Sequence, residues 1–322
     1  MTCVSNATRN ARGKTGMNAF FKIAAIMTAL LMPGLLPMAA LGEEALKFRH
    51  LTSIYADDQG LGLKHPEGVA CNQNDLLIVA DTGNARLMRY TYKDKTVTQG
   101  ARVIKVPQLI YPVQVKLNSL DEMLVLDRKQ RRIVRITTAG KFGGYIDVRG
   151  ASFSTTSAPK SFHIDKKDNL YFLDVYSGRV TMTDPGGKYL KHFRFPQEYG
   201  FFSDLTVDFK GSILLVDSVN ASVFSATKDS AAFSPFTKSL KQYMRFPTNI
   251  TTDKRGRIYL VDRNGSKIII LGQDGSYLGR LSAMGWKEGL LNYPSQICLN
   301  DSGEIFVADT NNNRVQIFSI IE

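Results

Sequence analysis

Six aspartates recur through the chain at nearly one interval: Asp81, Asp127, Asp174, Asp217, Asp262 and Asp309, with gaps of 46, 47, 43, 45 and 47 residues. Fifteen residues before each stands a second marker: Pro66, Pro112, Pro159, Phe202, Pro247 and Pro294. The offset is constant, so all variation in length falls after the aspartate. A fixed period of this size is the signature of a repeat architecture, in which each unit buries its apolar faces only against its neighbours.

Each unit reads as marker, alternating apolar run, polar turn, second apolar run ending in Asp, short loop, then a further run. In the last unit these are Ile297-Cys298-Leu299, Asn300-Asp301-Ser302-Gly303, Ile305-Phe306-Val307-Ala308-Asp309, the loop Thr310 to Asn313, and Arg314-Val315-Gln316-Ile317-Phe318. Runs of four to six Val, Ile, Leu, Phe and Tyr residues bounded by Asn, Asp, Gly and Ser read as strands. No long segment after residue 45 keeps a 3.6-residue apolar period, so helices are not expected. Six sheets of three or four antiparallel strands, set radially, make an all-β six-bladed propeller.

The motif resembles the NHL repeat over nearly all of residues 46–320. His65-Pro66-Glu67-Gly68-Val69-Ala70 leading to Val79-Ala80-Asp81-Thr82-Gly83-Asn84-Ala85-Arg86 carries it best, together with Val307-Ala308-Asp309-Thr310-Asn311-Asn312-Asn313-Arg314. Blade four departs furthest, with Phe202 for the proline and Ser222 for the basic residue. WD40 and kelch repeats are disfavoured by the single tryptophan, Trp286. The repeated aspartates read as structural. An Asp opening a tight loop caps backbone amides with its own carboxylate. Five residues on stands a base, giving clamps Asp81–Arg86, Asp127–Arg132, Asp174–Arg179, Asp262–Lys267 and Asp309–Arg314.

A ring made from one chain must cover the open edge of its last sheet. The sixth unit supplies only three strands. Residues 46–54 share the character of the fourth strands expected at 144–148, 189–193 and 277–281, so they are predicted to form the outer strand of blade six.

Residues 1–42 read as a secretory signal peptide. Arg9, Arg12, Lys14 and Lys22 precede an apolar stretch from Ile23 to Met32, then helix breakers, then the small-x-small site Ala40-Leu41-Gly42. Met17 is an alternative start, and an uncleaved anchor is the rival reading. The leader holds four of the 41 basic residues and none of the 29 acidic ones, so residues 43–322 form one propeller domain with net charge +8. An exported protein, periplasmic or extracellular, follows. Cys71 and Cys298 stand one step apart on the inner strands of neighbouring blades one and six. That parity turns their side chains to opposite sides, so they read as two small buried thiols rather than a disulfide.

Period-two alternation places the residues two and four after each marker in the central channel: Gln114, Lys116, Ser161, His163, Asp204, Asn249 and Gln296 among them. The resemblance implies an alternative, since some propellers similar to NHL repeats are lyases or lactonases that hold Ca²⁺ or Zn²⁺ in the channel. His163, Asp204 and Lys116 are then the candidate catalytic groups. They are too few for a convincing metal site, so no metal or cofactor is expected outside that alternative. No CxxCH is present to hold haem.

The loops after the aspartates carry Arg128, Lys129, Arg131 and Arg263 without an acid, a sum of +4, while the opposite hairpin turns sum to −3. A basic upper face attracts acidic partners. Arg128 is expected in an exposed part of its loop, with no structural task. Nucleic acid is disfavoured by export and by the lack of aromatics interleaved in that loop. The Ser/Thr-rich connection at 151–159 is a further candidate surface. The expectation is therefore a non-catalytic, monomeric scaffold without a membrane span, binding an acidic envelope protein. The resemblance implies such roles in larger envelope complexes, some with multihaem cytochromes.

Overall fold

The computed structural model describes residues 46–152 and 159–321; the leader reading and the Ser/Thr-rich stretch at 153–158 lie outside them. Among the described residues are six four-stranded antiparallel sheets. Each inner strand packs beside the inner strand of the next blade, and the last returns to the first. That closed circuit is the six-bladed propeller.

Two single-turn 3-10 helices, Thr82–Asn84 and Thr310–Asn312, are the helical elements of the described residues. The strands after each marker, such as Pro112–Leu117 and Pro247–Thr252, pair with the Asp-terminated strands Met123–Asp127 and Ile258–Asp262. These second strands are buried along their whole length in blades one, two, four, five and six. Both of their faces are covered, which is why they read as continuous apolar runs and not as alternation. Six apolar clusters fill the six gaps between blades. In blade four, Ile213 and Leu215 face blade three while Leu214 and Val216 face blade five.

The strand Lys47–Ile54 pairs antiparallel with Arg314–Ile321, giving blade six its fourth strand. Leu46 and Phe48 pack into the cluster between blades five and six, and Leu51 and Ile54 into the one between six and one. The N-terminal strand therefore closes the ring as expected.

The cysteine expectation is overturned. Cys71 and Cys298 form a disulfide, with Cα atoms 6.0 Å apart. The parity argument failed because it took both blades to use the same side of the inner strand. Val69 and Cys71 face blade six, whereas Ile297 faces blade five and Cys298 faces blade one. Across a seam, one blade presents odd positions and its neighbour even ones, so opposite parity is what brings the two sulfurs together. The bond tethers the first and last blades across 227 residues of chain. Cys298→Ser is expected to lower stability by about 2–4 kcal/mol, measured by denaturant unfolding. An unreduced sample of the variant matching the wild-type midpoint would contradict this.

The hairpin turns on the lower face are built alike. The residue six after each marker accepts two backbone amides in its own turn, as Asp208 does from Lys210 and Ser212. Asn72, Asn118, Asp165 and Asp253 do the same, and Asn300 accepts one such amide, from Glu304. The residue nine after the marker has positive φ, and is Asp in blades one to three and Gly in blades four to six. Much of the acidity assigned to that face is therefore turn chemistry.

Candidate functional site: the upper channel mouth

The marker aspartates carry out the capping expected of them, and a further task. Asp127 accepts the Ile110 and Tyr111 amides at 2.6 and 2.7 Å, and Asp217 the Gly200 and Phe201 amides at 2.7 and 3.1 Å. Asp81, Asp127, Asp217, Asp262 and Asp309 thus tie the loop entering the blade to the end of its second strand, which accounts for the constant fifteen-residue offset. The basic partners vary. Arg86 and Arg314 bond Asp81 and Asp309 at 2.6 and 2.8 Å, and Lys267 lies 3.9 Å from Asp262. Arg132 departs from the expected clamp: it pairs with Asp147 and stacks 3.8 Å over Tyr145. Asp127 is already served by amides, including Gln130 N at 2.9 Å. Arg179 donates from Nε to the Ser177 carbonyl, and Asp174 accepts the Tyr176 and Ser177 amides.

The channel is plugged, not open. Gln114, Ser161, Asp204, Asn249 and Gln296 are 2% to 7% exposed, and the first four bond one another across the axis. Asn249 Nδ2 donates to Asp204 at 2.5 Å, Ile250 N at 2.9 Å, Gln114 Nε2 at 3.3 Å, and Ser161 Oγ also donates to that carboxylate. Gln296 reaches from blade six past blade one to the Val115 carbonyl at 3.1 Å. Gly68 permits this: a Cβ there would stand 3.2 Å from Val115 N and 2.9 Å from the Ala80 Cβ. Burial raises the Asp204 pKa above the ordinary carboxylate value, while Lys116 and the donated hydrogen bonds oppose that rise.

Lys116 and His163 lie one layer below, four residues after their markers. Desolvation holds the His163 imidazole well below its usual pKa, with Lys116 adding to the effect. His163 meets Thr206 Oγ1 at 3.4 Å and lines a lower cavity of about 550 Å³. Asp204 instead floors a separate upper cavity of about 250 Å³. The catalytic trio of the enzyme alternative is therefore divided between the two sides of the plug. Among the described residues no three of His, Cys, Asp and Glu converge as metal ligands.

The upper mouth is formed by positions that period-two reasoning passed over. The residue directly after each marker lines it in all six blades: Glu67, Val113, Lys160, Ser203, Thr248 and Ser295. In blades two, four and five the register skips that residue, a bulge that turns its side chain off the ladder and toward the mouth. The signal was available as one fixed offset from the marker; alternation hid it because a bulge breaks the period.

Arg128 corrects a second expectation. Half of its side chain is exposed, but its Nη2 bonds Glu67 at 3.0 Å, and the Glu67 side chain is only 6% exposed. Arg263 Nη2 stands 3.9 Å from the same carboxylate. Lys129 and Arg131 are the freely exposed bases of that loop. The aromatics missing from the loop arrive from elsewhere. Arg128 lies over Tyr111, Arg131 over Tyr176, Lys160 over Phe201 and Arg263 over Tyr293, at 4.6 to 5.7 Å. Tyr111, Phe201 and Tyr293 all occupy the position before the marker, a second fixed offset. Desolvation lowers the Lys160 pKa from its ordinary value, and the Arg128 and Arg263 charges push the same way.

The NHL-repeat family matches residues 291–318, which form the inner strands of blade six and the loops on either side. This chain is a six-bladed β-propeller that carries an NHL repeat in its sixth blade. No curated protein matches it in sequence. Among solved structures, the propeller is similar to virginiamycin B lyase from Staphylococcus aureus, at 14% identity and TM-score 0.61, covering 85% of this chain and 100% of that one. A gluconolactonase from Xanthomonas campestris is 12% identical with TM-score 0.63, covering 86% and 90%. A protein of unknown function from Bacteroides thetaiotaomicron is 16% identical with TM-score 0.63, covering 86% and 76%. At these identities the likeness is one of fold. Among the described residues no helix is long and apolar enough to cross a membrane.

Proposed function

We propose that this NHL propeller is an exported, non-catalytic scaffold that binds an acidic partner protein on its upper face. The observation that carries the reading is the pairing of exposed bases with exposed rings there, Arg131 over Tyr176 and Arg128 over Tyr111. Rings held beside cations offer apolar contact area within a basic field, the combination that interface anchors use. The Cys71–Cys298 disulfide supports export, since such bonds persist in oxidising compartments. A cytochrome-bearing complex in the cell envelope is one such setting.

Capture from an envelope extract, read by mass spectrometry, tests this. Lys129→Glu with Arg131→Glu is expected to abolish recovery of the partner and to leave the melting temperature unchanged, because neither side chain supports the fold. Arg128 is left in place because it holds Glu67. Undiminished capture by the double variant would remove the upper face from the assignment. The fold shared with a lyase and a lactonase keeps the enzyme reading as the second one. About one tightly held Zn²⁺ or Ca²⁺ per purified chain would favour it.

A further inference from the structure

Trp286, the single tryptophan of the chain, is 80% exposed. Met284 in the same loop is 63% exposed, and Leu61, in the loop entering blade one, is 56% exposed. Apolar side chains scattered singly over a surface are ordinary. These three differ in the scaffolding built beneath them.

The loop at 282–292 folds back on itself. Gly285 N donates to the Leu291 carbonyl at 2.8 Å and Leu291 N to Ala283 at 2.9 Å, with Leu291 itself fully buried. Trp286 stands between two clamped residues. Asn312 Nδ2 donates to the Gly285 carbonyl at 2.9 Å, and Arg314 Nη2 to the Lys287 carbonyl at 2.7 Å. The same two repeat positions, three and five after the aspartate, hold the loop entering blade one. There Asn84 Nδ2 donates to the Gly62 carbonyl at 3.0 Å, and Arg86 Nη2 to that of Leu61 at 3.4 Å. Both loops thus have a fixed backbone, and each leaves a large apolar side chain standing in water. The two are also joined. Tyr55 donates to Glu288 at 2.9 Å and accepts from Arg314 at 3.1 Å, so they form one rim on the upper side of blade six.

The charges on this rim have one available sign. Its acids are engaged: Asp57 by Arg86, Asp58 by the Gly100 amide and Glu288 by Tyr55. Its bases, Lys64 and Lys287, are exposed. A second copy of the chain meeting this rim symmetrically would set like charges against each other. A protein partner would need pockets matched to both loops at once. A lipid surface needs only depth and negative charge. Tryptophan and leucine between lysines is the composition that seats in a headgroup layer, with the ring at the interface and the ammonium groups on anionic lipid.

We propose that the rim formed by Leu61, Met284 and Trp286 docks the propeller on an anionic lipid surface, with Lys64 and Lys287 pairing with the headgroups. The contact is peripheral and spans nothing. It does not rest on the scaffold reading, because Lys129 and Arg131 belong to blade two, on the other side of blade one.

The lone tryptophan makes the test direct. The full chain is mixed with phosphatidylglycerol vesicles and the Trp286 emission recorded. A shift to shorter wavelength is expected, with quenching when the lipid acyl chains carry bromine. Neither should occur with phosphatidylcholine vesicles. Trp286→Ala is expected to weaken vesicle binding, measured by cosedimentation, by about 10-fold or more, the loss of one buried aromatic side chain. Lys64→Gln with Lys287→Gln should weaken it by about 10-fold or more, the loss of two cations at an anionic surface. Capture of an acidic partner by Trp286→Ala should be undiminished, which separates this surface from the Lys129–Arg131 one. An emission spectrum unchanged by anionic vesicles overturns the proposal, and so does cosedimentation indifferent to Trp286→Ala, which would place the lipid contact elsewhere in the chain. Equal binding to phosphatidylcholine overturns the anionic assignment. A shift produced by a vesicle-free envelope extract, with none produced by vesicles, would give the rim to a protein instead.

Discussion

Removal of residues 46–54 is expected to abolish cooperative unfolding of the propeller. Leu46, Phe48, Leu51 and Ile54 bury apolar surface in two different inter-blade clusters. Ile54 is almost fully buried and the other three partly so, which places their combined contribution at roughly 4–6 kcal/mol. That is comparable with the whole net stability of a typical domain, about 5–15 kcal/mol. The deletion also uncovers the edge of Arg314–Ile321, an eight-residue strand whose unpaired amides and carbonyls invite association between molecules. The disulfide does not replace the strand, because it joins inner strands and leaves the outer edge bare. Thermal unfolding of the domain with and without these residues, followed by circular dichroism, gives the answer. A transition of undiminished amplitude at the original temperature would mean that blade six is stable with three strands.

Arg314→Ala is expected to cost about 3–5 kcal/mol, the range for breaking a buried ion pair from one side. The side chain is 2% exposed, and four of its five N–H donors are engaged. Its Nε bonds Asp309 at 2.8 Å, one Nη bonds the Tyr55 hydroxyl at 3.1 Å, and the other bonds the Lys287 and Leu290 carbonyls at 2.7 and 2.8 Å. Truncation strands a fully buried carboxylate and two carbonyls at once. Asp309 keeps donors in Asn292, Asn312 and Gln316, which limits the loss. Arg132 occupies the same position in blade two, but its pair with Asp147 is more than a third exposed on both sides. Arg132→Ala should therefore cost no more than about 1 kcal/mol. Denaturant midpoints for the two variants measure the contrast. Similar shifts would show that the repeat position, and not burial, sets the energy.

The enzyme alternative and the binding reading differ in what they require of the plug. A channel that works on a substrate needs its polar groups within one accessible space. Asp204 and His163 open instead onto different cavities, and the Asp204 carboxylate is engaged by four protein donors. The mouth above it is lined by Glu67, Arg128, Lys160 and Arg263, on the same side as the basic face.

The spacing of Asp81 to Asp309 and their markers was enough to determine the number of blades, the strand order within each and the closing role of Lys47–Ile54. Those features depend on local chemistry repeated in register: an Asx cap, a left-handed turn residue, an apolar run of the right length. Three things were decided only by the tertiary structure. Cys71 and Cys298 meet because a seam between radial sheets pairs opposite faces of two strands, a relation absent from either strand alone. The polar residues two after five of the markers fill the axis because they converge there, with Gly68 leaving room in blade one, so that each finds its partners in other blades. The mouth belongs to Glu67, Lys160 and Thr248 because a bulge, or its counterpart at the start of the strand, turns the residue after the marker out of the alternation. Periodicity describes neighbours along one strand; the binding chemistry of a propeller is made where six strands approach one axis, and that distance is set by packing.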